Sequence, residues 1–362
     1  MRRFSSRNET RLLWIGAWLV LAAFVGGGAV YVANSFVEDP APIVVTAAPA
    51  EVTLVSAEIV VGEPGPRTLA PYEGYGTWVD VFDYDPAYNP PDATPAIVAS
   101  DITEMADLGV KTVFLQAARL DDRTPEGLVD PWLLAEMLLT GHRHDIDVVG
   151  WYLPRFEAGT DDIDRVVAMS EFEVLGHRLD GVAVDIEWIG PDRQGNPIDD
   201  ETRSSRLASL SDTLGRAIPE ADPLGAIVPP PVQTEVINTS FWPGFPWTEI
   251  AEVYDVWLPM SYWSFRSDSS GYGEGYTYHE ESVRRLRANV GDPDAPVHGI
   301  GGIGGLDGVD DPPDPPEPLA SLEEIERFVV ALDDTGSIGG SIYDWNTLEP
   351  AVRSRLAELF AE

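Results

Sequence analysis

The stretch LDGVAVDIEW, Leu179 to Trp188, reads as a β-strand. Apolar side chains recur at every second position, and the run ends in two acids, Asp185 and Glu187, two positions apart. A helical pattern near Glu201 to Ile218 follows it. The same succession recurs along the chain. GTWVDVFDY, Gly76 to Tyr84, precedes a helical Ala93 to Leu108. KTVFLQAAR, Lys111 to Arg119, precedes Pro131 to His142. DVVGWYLPRF, Asp147 to Phe156, precedes Asp161 to Val174. PLGAIVPP, Pro223 to Pro230, leads to a short helix at Trp247 to Val253. DVWLPMSYW, Asp255 to Trp263, precedes Tyr278 to Val290. PVHGIGGIG, Pro296 to Gly304, precedes Ser321 to Asp334. GSIYDWN, Gly340 to Asn346, precedes Leu348 to Phe360. Strands alternating with helices predict a parallel sheet. Eight such units in about 290 residues predict a (β/α)8 TIM barrel over residues 71–362. The rival is a doubly wound open sheet, but no glycine-rich phosphate turn opens the first unit.

Composition narrows the function. The chain has 61 acidic and 23 basic residues, a formal charge of -38, and Lys111 as its one lysine. Such a surface repels phosphate, which argues against nucleic acid as a partner. There is no cysteine, so disulfides and thiolate metal sites are excluded, and five histidines leave little room for zinc. No cofactor is expected. Leu12 to Ala33 carries no charge. As a helix it spans about 33 Å, enough for a bilayer. Arg2, Arg3, Arg7 and Arg11 precede it, while Glu38 and Asp39 follow. The positive-inside rule makes residues 1–11 a cytoplasmic stub, 12–33 a signal-anchor and 34–70 an extracytoplasmic linker. The expected location is the cell membrane, single-pass, with the C-terminal domain outside. A signal peptide cleaved near Ala33 or Ala50, giving a secreted protein, is the alternative.

Barrel chemistry sits at the C-terminal ends of the strands. Here those ends carry Asp83 and Asp85, Gln116 and Arg119, Trp151 and Arg155, Asp185 and Glu187, Tyr262 and Trp263, and Asp344 and Trp345. Loops beyond them, NTSFWPGFPW (Asn238 to Trp247) and SFRSDSSGYGEGYTY (Ser264 to Tyr278), are rich in aromatics. Aromatic faces stack on sugar rings, and carboxylates and amides bind hydroxyls, so the mouth suits a polysaccharide or oligosaccharide. On strand four, Val182, Val184 and Ile186 should meet the helices, while Ala183, Asp185 and Glu187 point inward. Two close carboxylates resist double ionisation, and the acid with the raised pKa can protonate a glycosidic oxygen. The structural alternative is an acid pair neutralised by Arg119 or Arg155.

DGVAVDIEW resembles the strand-four signature of family 18 glycoside hydrolases, the chitinase-like group, which reads Asp-x-x-Asp-x-Asp-x-Glu. Asp180, Asp185 and Glu187 match its first, third and fourth acids, and Ala183 replaces the second. Met260 and Tyr262 in PMSYW match that family's Met-x-Tyr on strand six. Trp345 in GSIYDW stands where that family keeps the tryptophan under the sugar. The resemblance implies that Glu187 protonates the leaving oxygen and that the substrate's own N-acetyl group attacks the anomeric carbon. It implies that Asp185 orients the acetamide, that Tyr262 donates a hydrogen bond to it, and that Trp345 floors the site. Trp263, Trp151, Met260, Gln116, Arg155 and Asp344 are the further substrate-binding candidates. A substrate without N-acetyl needs a second carboxylate, for which Asp80, Asp83 and Asp344 are candidates. The expected function is a membrane-anchored extracytoplasmic glycosidase. A non-catalytic carbohydrate-binding barrel and a metal-dependent hydrolase using the same acids are the alternatives. His298 reads as a core histidine, and the loop LDGVDDPPDPPEP, Leu306 to Pro318, as a stiff solvated rim.

Overall fold

The computed structural model describes residues 67–91, 93–124, 127–266, 268–302 and 320–361. The apolar segment Leu12 to Ala33, the tether up to residue 66 and the Pro-rich loop lie outside the described residues. Among the described residues no helix is long and apolar enough to cross a membrane.

Eight parallel strands make one sheet. They are β1 (Gly74–Val79), β2 (Thr112–Gln116), β3 (Asp147–Tyr152), β4 (Gly181–Asp185), β5 (Leu224–Val228), β6 (Val256–Pro259), β7 (His298–Gly301) and β8 (Gly339–Ile342). A helix follows each: α1 (Asp101–Asp107), α2 (Pro131–Arg143), α3 (Asp161–Glu171), α4 (Asp200–Ala217), the single turn α5 (Trp247–Ile250), α6 (Gly275–Val290), α7 (Leu322–Thr335) and α8 (Pro350–Leu359). The strand order is β6-β5-β4-β3-β2-β1-β8-β7. The two ends then meet. Trp257 bridges Val297, and Met260 bridges Ile300. Ser261 N donates to Ile300 O at 2.7 Å, and Trp257 N to Pro296 O at 3.0 Å. The sheet is thus closed by short bridges into the TIM barrel that the repeat predicts. A doubly wound sheet would stay open.

Large side chains fill the barrel. Trp78, Phe114, Val149, Trp151, Ala183, Ile227, Leu258 and Ile300 form one buried cluster. The Trp78 and Phe114 rings stack with centroids 4.5 Å apart, and Trp151 meets Trp78 edge-on at 6.0 Å. Glycine on the neighbouring strand makes room: a Cβ on Gly76 would lie 2.6 Å from the Phe114 ring. The polar groups around Ser341 in the barrel interior are paired. Trp78 Nε1 donates to Ser341 Oγ at 2.8 Å, which lies 3.0 Å from His298 Nε2, and His298 Nδ1 lies 2.9 Å from Tyr72 O. That carbonyl can only accept, so the proton is on Nδ1. Burial pulls the His298 pKa down to about 4, so the ring stays neutral as a core histidine.

Tyr72 plugs the foot of the barrel. It is fully buried, and its hydroxyl donates to Val182 O at 2.9 Å. A Cβ on Gly181 would stand 2.6 Å from that hydroxyl and 3.0 Å from the ring carbon bearing it. Gly181→Ala is therefore expected to cost about 1–3 kcal/mol by overpacking, read as a lower denaturation midpoint at unchanged denaturant slope. Equal midpoints would show that the plug shifts freely.

Two segments depart from the sequence reading. GTWVDVFDY does not continue as a strand to Tyr84. β1 stops at Val79 because Asp80 caps a helical turn, Val81–Tyr84. Asp80 Oδ1 accepts from Phe82 N at 2.7 Å, and Asp83 Oδ2 from Asp80 N at 3.2 Å, a reciprocal capping box. The tether also ends earlier than residue 70. Arg67 is buried, donating to Leu179 O at 2.8 Å and pairing with Asp222 at 2.7 Å.

Candidate active site

β4 is buried at every position. Ala183 joins the interior cluster, so by alternation Asp185 and then Glu187 face inward and rise toward the mouth. Asp180 sits five residues lower, at the foot. Its Oδ2 accepts from Val148 N at 2.7 Å and lies 2.9 Å from His142 Nε2. It holds β4 to β3 and α2, away from the mouth.

Asp185 is buried, and its Oδ1 has no hydrogen-bond partner among the described residues. Neither Asp185 nor Glu187 forms an ion pair among the described residues, so Arg119 and Arg155 do not neutralise them. Arg119 lies 4.0 Å from Asp121, and the Arg155 guanidinium lies over Trp188, 4.6 Å from the ring centroid. Burial pushes the Glu187 carboxyl up to about 7. Burial first, and the charge of Glu187 second, push Asp185 well above the carboxylate range. Such a pair holds at least one proton near neutrality.

Tyr262 joins this pair to a second set of acids. Its phenol pKa is raised by burial, then by the charges of Glu187, Asp185 and Asp344. The ring of Tyr343, at the end of β8, stands 6.3 Å from that of Tyr262. Tyr343 Oη donates to Asp80 Oδ2 at 3.0 Å. Asp80, Asp83 and Asp344 have carboxylate oxygens within 4.8 Å of one another. They come from the first and last strands of the barrel, which a parallel ladder makes neighbours. Asn346 Nδ2 donates to Asp83 Oδ1 at 2.9 Å, and Thr347 N to Asp344 Oδ1 at 2.9 Å. Burial and the charges of Asp80 and Asp344 push Asp83 up to about 9, while burial and Asp80 push Asp344 up to about 7. Three oxygens this close either share protons or hold a hard cation, which takes oxygen ligands.

The remaining sequence candidates divide. Gln116 is buried at the mouth and accepts from Val81 N at 3.2 Å. Met260 and Trp151 belong to the interior, and Trp151 Nε1 donates to Phe114 O at 3.3 Å. Trp345 is not at the mouth. It is 1% exposed, with the Arg353 guanidinium 4.2 Å from its ring centroid. Trp263 is fully buried against Phe328 of α7, with centroids 5.1 Å apart. Trp345 is covered from α8 and Trp263 from α7, and neither ring is exposed. The aromatic loop after β5 packs on itself, with Trp242 5.1 Å from Phe245 and 5.5 Å from Phe156. Tyr343 and Asn346 are residues that the sequence reading missed. The period-two rule continued from the inward Ser341 points to Tyr343, because Trp345 lies beyond the end of β8.

Comparison of the sequence with models of known protein families gives no match, and comparison with curated proteins gives none. Solved structures do resemble it. The C-terminal domain of a putative chitinase from Desulfitobacterium hafniense aligns at TM-score 0.55 and 11% identity, over 80% of this chain and 98% of that one. The Bacillus cereus spore cortex-lytic enzyme SleL aligns at 0.54 and 9%, over 82% and 75%. A GH5_18 protein from Streptomyces cattleya, in complex with Manb1-4GlcNAc, aligns at 0.53 and 15%, over 79% and 80%. The fold is that of a distant chitinase-like barrel.

Proposed function

We propose that the chain is a glycoside hydrolase that cleaves a polysaccharide containing N-acetylhexosamine, with Glu187 as its general acid. The observation that carries this reading is the acid pair at the end of β4: a buried Asp185 and a partly buried Glu187, with no ion pair among the described residues, whose charges act on Tyr262. In this reading Glu187 gives its proton to the glycosidic oxygen as the bond to the anomeric carbon breaks. The acetamide oxygen of the substrate closes on that carbon to form an oxazolinium ion. Glu187, now a carboxylate, takes a proton from water, which opens the ring with net retention. The unpartnered Asp185 Oδ1 is a free acceptor for the acetamide N–H, and the developing positive charge favours its ionised form. Tyr262 donates to the acetamide oxygen. Tyr343, rather than Trp345, is the aromatic ring offered to the sugar.

The test incubates the chain with chitin oligosaccharides, peptidoglycan fragments and neutral glucans beside a folded Glu187→Gln variant. Cleavage of N-acetylated substrates alone, lost in the variant, is the expected result. Cleavage of neutral glucans alone would assign a nucleophile from Asp80, Asp83 and Asp344. Binding without cleavage would make the chain a carbohydrate-binding barrel.

A second reading, a cation-dependent hydrolase, is favoured by the Asp80–Asp83–Asp344 cluster. It requires activity lost on chelation and restored by Ca²⁺ or Mg²⁺. The residues before the barrel complete the proposal: Leu12 to Ala33 anchors the enzyme in the cell membrane with the barrel outside. The full chain should stay in the membrane pellet through an alkaline carbonate wash, and release into the supernatant would refute the anchor.

A further inference from the structure

The mouth carries an anomaly of charge. The sequence has 61 acids against 23 cations, and arginines that lack an acid partner, such as Arg165, Arg206 and Arg287, spend their guanidinium N–H groups on backbone carbonyls. Arg123 has Asp121, Arg193 has Asp122, and Arg203 has Asp200. Arg155 differs. It follows β3 at the mouth, and its guanidinium makes no hydrogen bond and no ion pair with a described residue. It lies over the ring of Trp188, 4.6 Å from the centroid, and Trp188 is the residue after Glu187. This cation–π contact holds the guanidinium at the ring and leaves its N–H groups unspent.

Arg119, in the loop after β2, adds a second positive charge. Burial holds its pKa below the ordinary arginine value; Tyr88 and Asp121 oppose that shift, and the charge of Arg155 adds to it. Its Nε is buried and bonds nothing among the described residues. Its paired acid, Asp121, is 4.0 Å away and already receives two bonds of 2.8 Å from Arg123. Arg119 thus keeps a long, shared ion pair with Asp121, while the Arg155 guanidinium has no acid paired with it among the described residues.

We infer that Arg155, supported by Arg119, forms a subsite for a carboxylate carried on the glycan, so that the preferred substrate is an acidic polysaccharide with uronate or lactyl-ether units. This rests on the reading of the mouth as a glycan-cleaving site. A guanidinium receives a carboxylate through two parallel N–H···O bonds, and its planar fork fits a planar anion. The acidic surface repels polyanions, but salt screens that field beyond about 8 Å. The contact therefore selects a glycan with spaced carboxylates over a densely charged one.

The test uses the full chain with its Arg155→Gln and Arg155→Lys variants. The probes are a hexasaccharide of alternating glucuronate and N-acetylglucosamine, its neutral methyl ester, and a 6-O-sulfated chitin hexasaccharide. The wild type should favour the carboxylate over the ester by about tenfold or more in kcat/KM, mainly through KM. Arg155→Gln should bring that ratio near one, and Arg155→Lys should restore part of it, since an ammonium lacks the fork. Preference for the sulfated probe would overturn the carboxylate assignment. Equal rates on acid and ester, unmoved by Arg155→Gln, would overturn the subsite and leave the hydrolase standing. If no probe is cleaved, calorimetric binding decides. Tighter binding of the acid than of the ester, abolished by Arg155→Gln, would keep the subsite while the hydrolase falls. Equal binding or none would remove both.

Discussion

Glu187→Gln is expected to lower kcat on a natural glycan by about 10²- to 10⁴-fold, the range of a general acid, while the barrel stays folded. Gln has the same shape and cannot release a proton. The loss should depend on the leaving group. An aryl glycoside whose phenolate leaves unprotonated needs little acid in its first step, so its glycosylation should fall far less. A loss of equal size on both substrates would mean that the substitution damages binding or fold instead. The pH profile is a second readout. Burial places the Glu187 carboxyl at about 7, and an acid catalyst works only while protonated. kcat/KM should therefore decline as pH rises through about 7, and that limb should vanish in the Gln variant. Asp185 titrates with Glu187, so the limb belongs to the pair rather than to either residue. An activity rising through neutrality would exclude Glu187 as the acid.

The barrel was legible because its signals are local. Alternation on GVAVDIEW assigned Ala183 to the interior, and a helix follows each strand. What failed depended on where a strand stops. Val81 to Tyr84 is apolar enough for a strand, but the hydrogen bonds between Asp80 and Asp83 make a turn more favourable. At β8 the strand ends at Ile342, so Tyr343 completes the inward face, and Trp345 turns down onto Arg353. The acids themselves were readable at strand ends. Their mutual distances were not, because Asp344 reaches Asp80 and Asp83 only through the pairing of the last strand with the first. The aromatic loops misled for a different reason. Composition says that Trp242 and Phe245 want burial, and they find it in one another before any sugar arrives.

Asp344→Asn is expected to stabilise the protein at pH 8 and to stabilise it clearly less at pH 5. Asp83 at about 9, Asp344 at about 7 and Asp147 at about 6 all titrate above an ordinary aspartate. Between about pH 4 and those values the native state holds more protons than the unfolded chain. Unfolding free energy therefore falls as pH rises through that window. The opposite sign applies to Asp121 and Glu281, each held at about 2 by bonds from arginines. Their contribution is present above the unfolded carboxylate range and is lost as pH drops toward 2. These carboxyl groups thus place the stability maximum near about pH 4, where the two windows meet. The amide in Asp344→Asn keeps an oxygen for Thr347 N, as Asp344 Oδ1 does now at 2.9 Å, and removes one charge from the cluster. The gain at pH 8 should be on the order of 1–3 kcal/mol, a rise of several degrees in Tm. Thermal unfolding at the two pH values measures it. A divalent cation on Asp80, Asp83 and Asp344 would reverse the sign: the wild type would be the more stable at pH 8, the variant would lose Tm, and chelator would erase the difference. The same pair of melting curves therefore separates a proton-sharing cluster from a metal site, without any assay of activity.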